Sequence, residues 1–120
     1  MKILIVDDSA AMRMMMMRTI RMAGFDGHDF VQASDGKEAL DVIHQNLPDL
    51  VLTDWNMPNM TGLELMQTLG AEGVNVKIGF VTTEATQDMR DKANEAGADF
   101  MISKPFTADS FADALAPVLG

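Results

Sequence analysis

The stretch Leu50-Val51-Leu52-Thr53-Asp54-Trp55-Asn56-Met57-Pro58 determines how the rest of the chain can be arranged. Its first four residues are typical of a buried strand, and they lead directly to the carboxylate of Asp54. Asn56, Pro58 and the later Gly62 turn the chain instead of continuing the strand. A carboxylate beside a buried strand must be paired, bind a metal or react, because burying it alone costs free energy. The stretch therefore predicts a functional aspartate at the carboxyl end of a strand.

The composition is that of one globular domain. The chain has 120 residues, of which 48% are hydrophobic and 22% are charged. These values fit a single folded core. The chain has no cysteine, which excludes disulfides and thiolate metal sites, and it has neither a membrane-length apolar run nor a signal peptide. We expect a cytoplasmic, monomeric domain spanning residues 1–120 that does not act at a membrane.

The net charge restricts the partners. It is -9, with a pI of about 4.4. A surface of this sign repels phosphate backbones, so we do not expect the chain to bind nucleic acid by itself. Any chemistry on a phosphate group would need a cation close by, either a metal ion or a well-placed lysine.

Apolar runs alternate five times with segments of helical period. Strands are predicted at 2–6, 28–33, 49–53, 76–81 and 100–102. Helices are predicted at 9–23, from 36 to just before Pro48, at 59–69, at 86–96, and from Thr107 onward. Pro117 lies inside the last helical pattern and is expected to kink or end it. In the first helix, an apolar face is expected to fill the core through four methionines, Met12, Met15, Met16 and Met22. In the third helix, Leu63, Met66 and Leu69 are expected to point inward.

Strict alternation of strand and helix predicts an α/β doubly wound parallel sheet with helices on both faces. The first, third and fourth strands are unbroken apolar runs and should be central, while the more polar second strand and the short fifth strand should be edges. This gives five strands in the order 2-1-3-4-5, with five helices. Ligands of such sheets bind beyond the carboxyl ends of the strands, between the first and third strands.

Two acids, Asp7 and Asp8, follow the first strand and should therefore lie beside Asp54. Three carboxylates at close range raise one another's pKa unless a cation joins them. Magnesium suits such an open site of oxygen ligands, because it needs only one or two direct carboxylates and keeps several waters. The alternative for these acids is capping of the following helix at Ser9, but capping requires only one side chain.

A lysine and a threonine also follow strands. Lys104 comes after the fifth strand, where its ammonium could neutralise a phosphoryl oxygen. The Lys104–Pro105 bond could be cis, although trans is the commoner state. Thr82 ends the fourth strand and could donate a hydroxyl hydrogen bond, with Thr83 an almost equal candidate on composition.

These residues resemble the receiver domain of two-component response regulators, which has a flavodoxin-like fold. The matching motifs are Asp7-Asp8, Asp54 through Met60 with Gly62, Val81-Thr82-Thr83-Glu84-Ala85 and Lys104-Pro105-Phe106, in family order across the whole chain. The likeness is greatest to the chemotaxis members of the family. A single-domain regulator without an output domain is the expectation, since the chain stops after the fifth helix.

The resemblance implies a phosphoacceptor that assists its own phosphorylation and dephosphorylation, and not an enzyme with a separate substrate. Asp54 would take a phosphoryl group from a histidine kinase. Asp8 would bind Mg²⁺ directly and Asp7 through water, with Asp54 and the backbone carbonyl of Asn56 completing the protein ligands. Lys104 would contact the phosphoryl group.

The resemblance also implies a switch. Thr82 would move toward the phosphoryl group and reshape the face made by the fourth helix, fifth strand and fifth helix, which would bind an output protein such as the flagellar motor switch. Asn56 and Glu84 stand where the family tunes hydrolysis of the acyl phosphate. The family usually has Tyr or Phe where this chain has Met101, and Phe100 should point to the opposite face of the strand. We predict that Met101 is the gating side chain.

Other functions fit less well. A haloacid-dehalogenase-type phosphatase would need its aspartates spaced D-x-D after the first strand, and a flavin-binding protein would need a Ser/Thr/Gly-rich loop there. Within the regulator class, a stand-alone regulator or phosphate sink of a non-motility pathway, and a receiver fragment of a longer regulator, remain open alternatives.

Overall fold

The computed structural model describes residues 1–83 and 85–119. In these residues, five strands alternate with five helices, as the hydrophobic pattern predicts. The elements are β1 (Lys2–Val6), α1 (Ala10–Met22), β2 (Asp29–Ala33), α2 (Gly36–Gln45), β3 (Leu50–Thr53), α3 (Gly62–Ala71), β4 (Lys77–Thr82), α4 (Gln87–Ala96), β5 (Phe100–Ser103) and α5 (Ala108–Leu119). No helix in this described part of the chain is both long enough and apolar enough to cross a membrane.

The strands form one parallel sheet in the order β2-β1-β3-β4-β5, which confirms the predicted topology. All four residues of β3 are buried, and so are the last four of β1 and the last five of β4. Edge strands β2 and β5 keep partly exposed residues. The apolar content of each strand thus determined its place in the sheet.

The core has one layer on each face of the sheet. Alternate residues of β3 point to opposite layers, with Val51 in one layer and Leu50 and Leu52 in the other. The first layer contains buried residues of α2, α3 and α4, and the second contains those of α1 and α5. Helices on both faces hold the sheet while leaving the carboxyl ends of its strands accessible.

The buried face of α1 differs from the predicted one. Met16 is buried as predicted and Met12 is partly buried, but Met15 and Met22 are exposed. The remaining buried residues are Met17 and Ile20. The true stripe is rotated by about one residue, or about 100°, around the helix. Ile20 accounts for the rotation, because the methionines alone cover all sides and cannot select a face.

Helix α3 begins three residues later than predicted, at Gly62. Asn59, the expected start, has a left-handed φ of 68°, which a helix cannot accommodate. Thr61 caps the helix instead: its hydroxyl accepts from the backbone N–H of Glu64, whose carboxylate accepts from the backbone N–H of Thr61. Met66 and Leu69 are buried as predicted, but Leu65 is also buried, whereas the predicted Leu63 is only partly so.

Helix α5 continues through Pro117. Of the two predicted effects of this proline, a kink or an end of the helix, the end is therefore wrong. Pro117 lies only two residues before the last residue of the helix, Leu119. Its ring removes only one hydrogen bond near a terminus, where helical bonds are incomplete in any case.

Candidate functional site

The three main site residues are placed by backbone hydrogen bonds that continue the sheet beyond the strand ends. Each has its N–H bonded to the last residue of a neighbouring strand: Asp7 to Ala33 at 3.2 Å, Asp54 to Val6 at 2.9 Å, and Lys104 to Thr82 at 2.8 Å. The three side chains therefore lie at the same edge of the sheet, directly beyond the carboxyl ends of the strands.

The carboxylates of Asp7, Asp8 and Asp54 converge as the sequence predicted. One oxygen from each lies within 4.8 Å of the other two. No other group of this kind occurs among residues 1–83 and 85–119. Asp7 is buried, Asp8 is exposed and Asp54 is intermediate. The cluster thus opens to solvent on the side of Asp8, and its oxygen-only donor set fits a hard divalent cation.

Lys104 reaches into this cluster with its side chain only 9% exposed. Its Nζ lies 2.9 Å from Oδ2 of Asp7 and 3.4 Å from Oδ2 of Asp54. The Lys104–Pro105 bond is cis, against the commoner state expected for it. One ammonium thus stands between two carboxylates at the floor of the site.

The charge on Asp54 is disfavoured despite this partner. Burial raises the pKa of Asp54 above its ordinary value of 3.8, and the charge of Asp7 raises it further. Lys104 and the backbone N–H of Trp55, which donates to Oδ1 at 2.7 Å, act in the opposite direction on the pKa. The net effect is an upward shift, so a further cation near Asp54 would relieve an existing excess of negative charge.

Helix capping does not explain the acidic pair. Ser9 is the N-cap of α1, and its hydroxyl accepts from the backbone N–H of Met12 at 3.2 Å. Oδ1 of Asp7 accepts from the N–H of Ser9 at 2.9 Å, which orients this carboxylate within the site. Asp8 takes no part in that cap, so capping does not account for an acidic residue at this position.

The two threonine candidates separate in the structure. Thr82 is fully buried at the end of β4, whereas Thr83 is exposed. Strand alternation places Thr82 on the same face of β4 as Phe80. Asn56 lies exposed in the loop after Asp54. Glu84, the other predicted tuning residue, lies outside the described residues.

Met101 and Phe100 occupy opposite faces of β5, as predicted. Met101 packs against the layer that contains Phe80, and Phe100 packs against the layer of α1 and α5. The ring of Phe100 covers Gly79 of β4, where it fills the space of the missing side chain. Met101 is thus on the face of the sheet that carries Thr82.

Sequence reasoning missed Arg13. Its Nη1 donates to the backbone carbonyl of Asp7 at 2.6 Å, and its Nε donates to the side chain of Gln32 at 3.0 Å. The guanidinium therefore ties the loop that carries the acids to β2. The available signal was an arginine four residues after the N-cap Ser9, one helical turn into α1 on the side of the strand ends.

Comparison with known proteins assigns the family. The family model of the response regulator receiver domain matches residues 3–116. The chain therefore belongs to the response regulator receiver domain family, as its motifs indicated.

The similar proteins include chemotaxis proteins. The chain is 40% identical to the chemotaxis protein CheY of Pseudomonas aeruginosa, over 90% of this chain and 87% of that protein. It is 42% identical to a chemotaxis protein CheY homolog of Campylobacter jejuni, covering all of this chain and 93% of the relative. The solved structure of CheY4 from Vibrio cholerae superposes with a TM-score of 0.85 at 31% identity, over 98% of this chain and 97% of the other.

Proposed function

We propose that this chain is a CheY-like chemotaxis response regulator, folded as one receiver unit over residues 1–120, in which Asp54 accepts a phosphoryl group from a histidine kinase. The observation that supports this most is the contact of the Lys104 ammonium with both Asp54 and Asp7. A paired lysine at a carboxylate with a raised pKa is an arrangement suited to an incoming group with several anionic oxygens.

In the proposed step, an Asp54 carboxylate oxygen attacks phosphorus, and the phosphorus–nitrogen bond to the kinase histidine breaks. The product is an acyl phosphate on Asp54 and a histidine that has regained its nitrogen lone pair. Such transfer depends mainly on positioning and charge stabilisation. Lys104 can form an ion pair with the phosphoryl oxygens during the transfer, since its Nζ already lies beside Oδ2 of Asp54.

Mg²⁺ fits the acidic cluster, and when bound it would supply positive charge to the phosphoryl oxygens. Asp8 is exposed and suits direct ligation. Both oxygens of Asp7 already accept hydrogen bonds, from Ser9 and from Lys104, which supports contact with the ion through water. Asp54 and the backbone carbonyl of Asn56 would complete the protein ligands.

The output step would start at Thr82. We propose that its hydroxyl bonds the new phosphoryl group and that Met101 moves with it, changing the face formed by α4, β5 and α5. Asn56 and Glu84 would tune the lifetime of the acyl phosphate. The flagellar motor switch is the proposed output partner of that face.

One observation favours a second candidate. Met101 stands where family members usually carry an aromatic switch residue, so the partner face differs at its centre. A stand-alone regulator or phosphate sink of a non-motility pathway would keep the same phosphoacceptor chemistry but bind another partner.

Intact mass tests the chemistry directly. The protein is incubated with Mg²⁺ and a small acyl phosphate donor, and we expect one phosphoryl adduct that is absent in Asp54→Asn and absent without the metal. Asp41→Asn, which changes an exposed aspartate on α2 in the same way, should still form the adduct. An adduct that persists in Asp54→Asn would refute the assignment.

A further inference from the structure

The outer face of α1 carries an unusual concentration of exposed methionine. Met14 is 63% exposed, Met15 is 54% exposed and Met22 is 71% exposed. They are three of the five large hydrophobic residues with this degree of exposure in the described chain, and the proposed phosphoryl chemistry does not use them. Met16 and Met17, on the same helix, are 0% and 7% exposed. One short segment thus presents thioethers in two contrasting environments.

We propose that Met14, Met15 and Met22 form a site of reversible methionine oxidation. The chain contains 12 methionines and no cysteine, so its oxidisable sulfur is all thioether. The sulfur lone pair of an exposed methionine attacks one oxygen of a hydroperoxide, and the oxygen–oxygen bond breaks. The sulfur loses two electrons and becomes a sulfoxide, while the peroxide is reduced and leaves as water or an alcohol after proton transfer.

Arg18 lies at the centre of this site. It is four residues after Met14, three after Met15 and four before Met22, and these spacings bring side chains together on a helix surface. Arg18 also lines a groove of about 570 Å³ together with Met14, Met15, Arg21 and the largely buried Met17. A sulfoxide oxygen is a much stronger hydrogen-bond acceptor than a thioether, and a guanidinium offers five N–H donors. The position of Arg18 therefore allows its guanidinium to donate hydrogen bonds to sulfoxide oxygens at these methionines.

The fold should tolerate this modification. The three side chains lie outside both core layers, whereas oxidation of Met16 or Met17 would place a polar sulfoxide among buried apolar groups. Oxidation at the outer face would change an apolar surface into a polar one without unfolding the domain. A methionine sulfoxide reductase would restore the thioethers.

Peptide mapping by mass spectrometry after timed exposure of the folded protein to hydrogen peroxide tests the proposal. We expect Met14, Met15 and Met22 to oxidise at least about tenfold faster than Met16 and Met17. Met1, which is 54% exposed, serves as a reference for a freely accessible thioether. Equal rates along α1, or oxidation confined to Met1, would overturn the proposal. The triple variant Met14→Leu, Met15→Leu and Met22→Leu should lose the fast class apart from Met1.

Two further measurements test whether oxidation leaves the fold and Mg²⁺ binding unchanged, and whether Arg18 binds the sulfoxides. Selectively oxidised protein should keep the thermal unfolding midpoint and the Mg²⁺ titration of the reduced protein, followed by Trp55 fluorescence, and should recover its original mass with the reductase. Loss of the fold at this stage of oxidation would contradict the proposal.

In Arg18→Gln the oxidised form should unfold at a lower temperature than its own reduced form. An equal effect in wild type and variant would exclude Arg18 as the group that binds the sulfoxides.

Discussion

The charge on Asp54 is unfavourable to folding in the absence of a metal. Its pKa is raised by burial and by Asp7, so folding favours the protonated carboxyl. The contribution of this group to stability is complete below the unfolded-state value of about 3.8 and is lost as pH rises through the folded-state pKa. Asp54→Asn should therefore raise the free energy of unfolding at neutral pH, by up to about 1 kcal/mol given partial screening by solvent.

Denaturant unfolding without divalent ions, at neutral pH and again at a pH well below 3.8, measures this effect. The advantage of Asp54→Asn should shrink at low pH, because the wild-type carboxyl is then neutral as well. With Mg²⁺ present the order should reverse, since the wild type alone gains the full binding free energy. A variant that is less stable than wild type at neutral pH without metal would contradict the assigned shift.

Lys104 should have opposite effects on stability and on metal affinity. In Lys104→Met the carboxylates of Asp7 and Asp54 lose their shared cation, and the free energy of unfolding should fall by about 1–3 kcal/mol. The same loss removes a positive charge that repels Mg²⁺, so the metal should bind several-fold more tightly. The single tryptophan, Trp55, adjoins Asp54 and provides the fluorescence signal for the titration. Weaker Mg²⁺ binding in this variant would show that Lys104 positions the acids and does not compete with the ion.

The convergence of Asp7, Asp8, Asp54 and Lys104 could be predicted because each residue is chemically conspicuous where it occurs in the sequence. Carboxylates, a lysine and a threonine directly after apolar runs cannot be explained by core packing, and parallel strands bring their carboxyl ends to one edge. Arg13 was missed because it lies in a helix, where an arginine is unremarkable. Its contact with the carbonyl of Asp7 depends on the position of α1 relative to β2, which no local pattern reveals.

At the level of elements, two glycines of α3 should respond oppositely to alanine. A Cβ at Gly62 would clash with the backbone carbonyl of Asp54 and lie 2.8 Å from the ring of Phe80. Gly62→Ala should therefore displace the loop that follows Asp54, weaken Mg²⁺ binding and cost about 1–3 kcal/mol of stability. A Cβ at Gly70 would meet nothing within 4 Å, so Gly70→Ala should gain about 0.5–1 kcal/mol from helix propensity.

Unfolding curves and Mg²⁺ titrations of both variants test this pair. Gly70→Ala should leave metal affinity unchanged, which makes it the matched control for a methyl group added to the same helix. Should Gly62→Ala bind Mg²⁺ like wild type, the close approach of α3 to Asp54 would not be what positions the site.

Element types were easier to predict than element faces and ends. The alternation of apolar and helical patterns indicated all ten elements, because each pattern extends over several residues. The prediction of the buried face of α1 was wrong by about one residue, since four consecutive methionines carry no periodic signal. The predicted start of α3 at Asn59 was three residues too early. The capping box of Thr61 and Glu64, a recognisable signal, fixes the start at Gly62 and outweighs the helical pattern.

For the molecule as a whole, the strand order was predictable with little help from this particular sequence. The order 2-1-3-4-5 is a common solution for five parallel strands, and burial of β1, β3 and β4 at the centre is consistent with it. The proposed coupling between the site and the α4-β5-α5 face could not be predicted in the same way. The proposal depends on spaces around Met101 that only the packed structure reveals.

Met101 lies between two such spaces. On one side, a cavity of about 160 Å³ is bounded by α4, with Arg90 and Asn94 in its lining. On the other, a groove of about 510 Å³ runs between β5 and α5, with Ser110 and Ala114 in its lining. An unbranched thioether side chain with three rotatable bonds adapts readily to a change in the space around it. A side chain of this kind can therefore report a change at Thr82, on the same face of the sheet.

We expect phosphorylation of Asp54 to shift the methyl resonance of Met101 in spectra of protein labelled at its methionine methyl groups, with Met101→Leu supplying the assignment. Thr82→Ala should still form the acyl phosphate, by intact mass, but should leave the Met101 resonance at its free position. Met66, buried in α3, serves as the control that should change little in either protein. If the Met101 signal stayed in place while Asp54 was fully phosphorylated, the side chain would have no part in the switch, and the partner face would have to be changed through α4 or α5 alone.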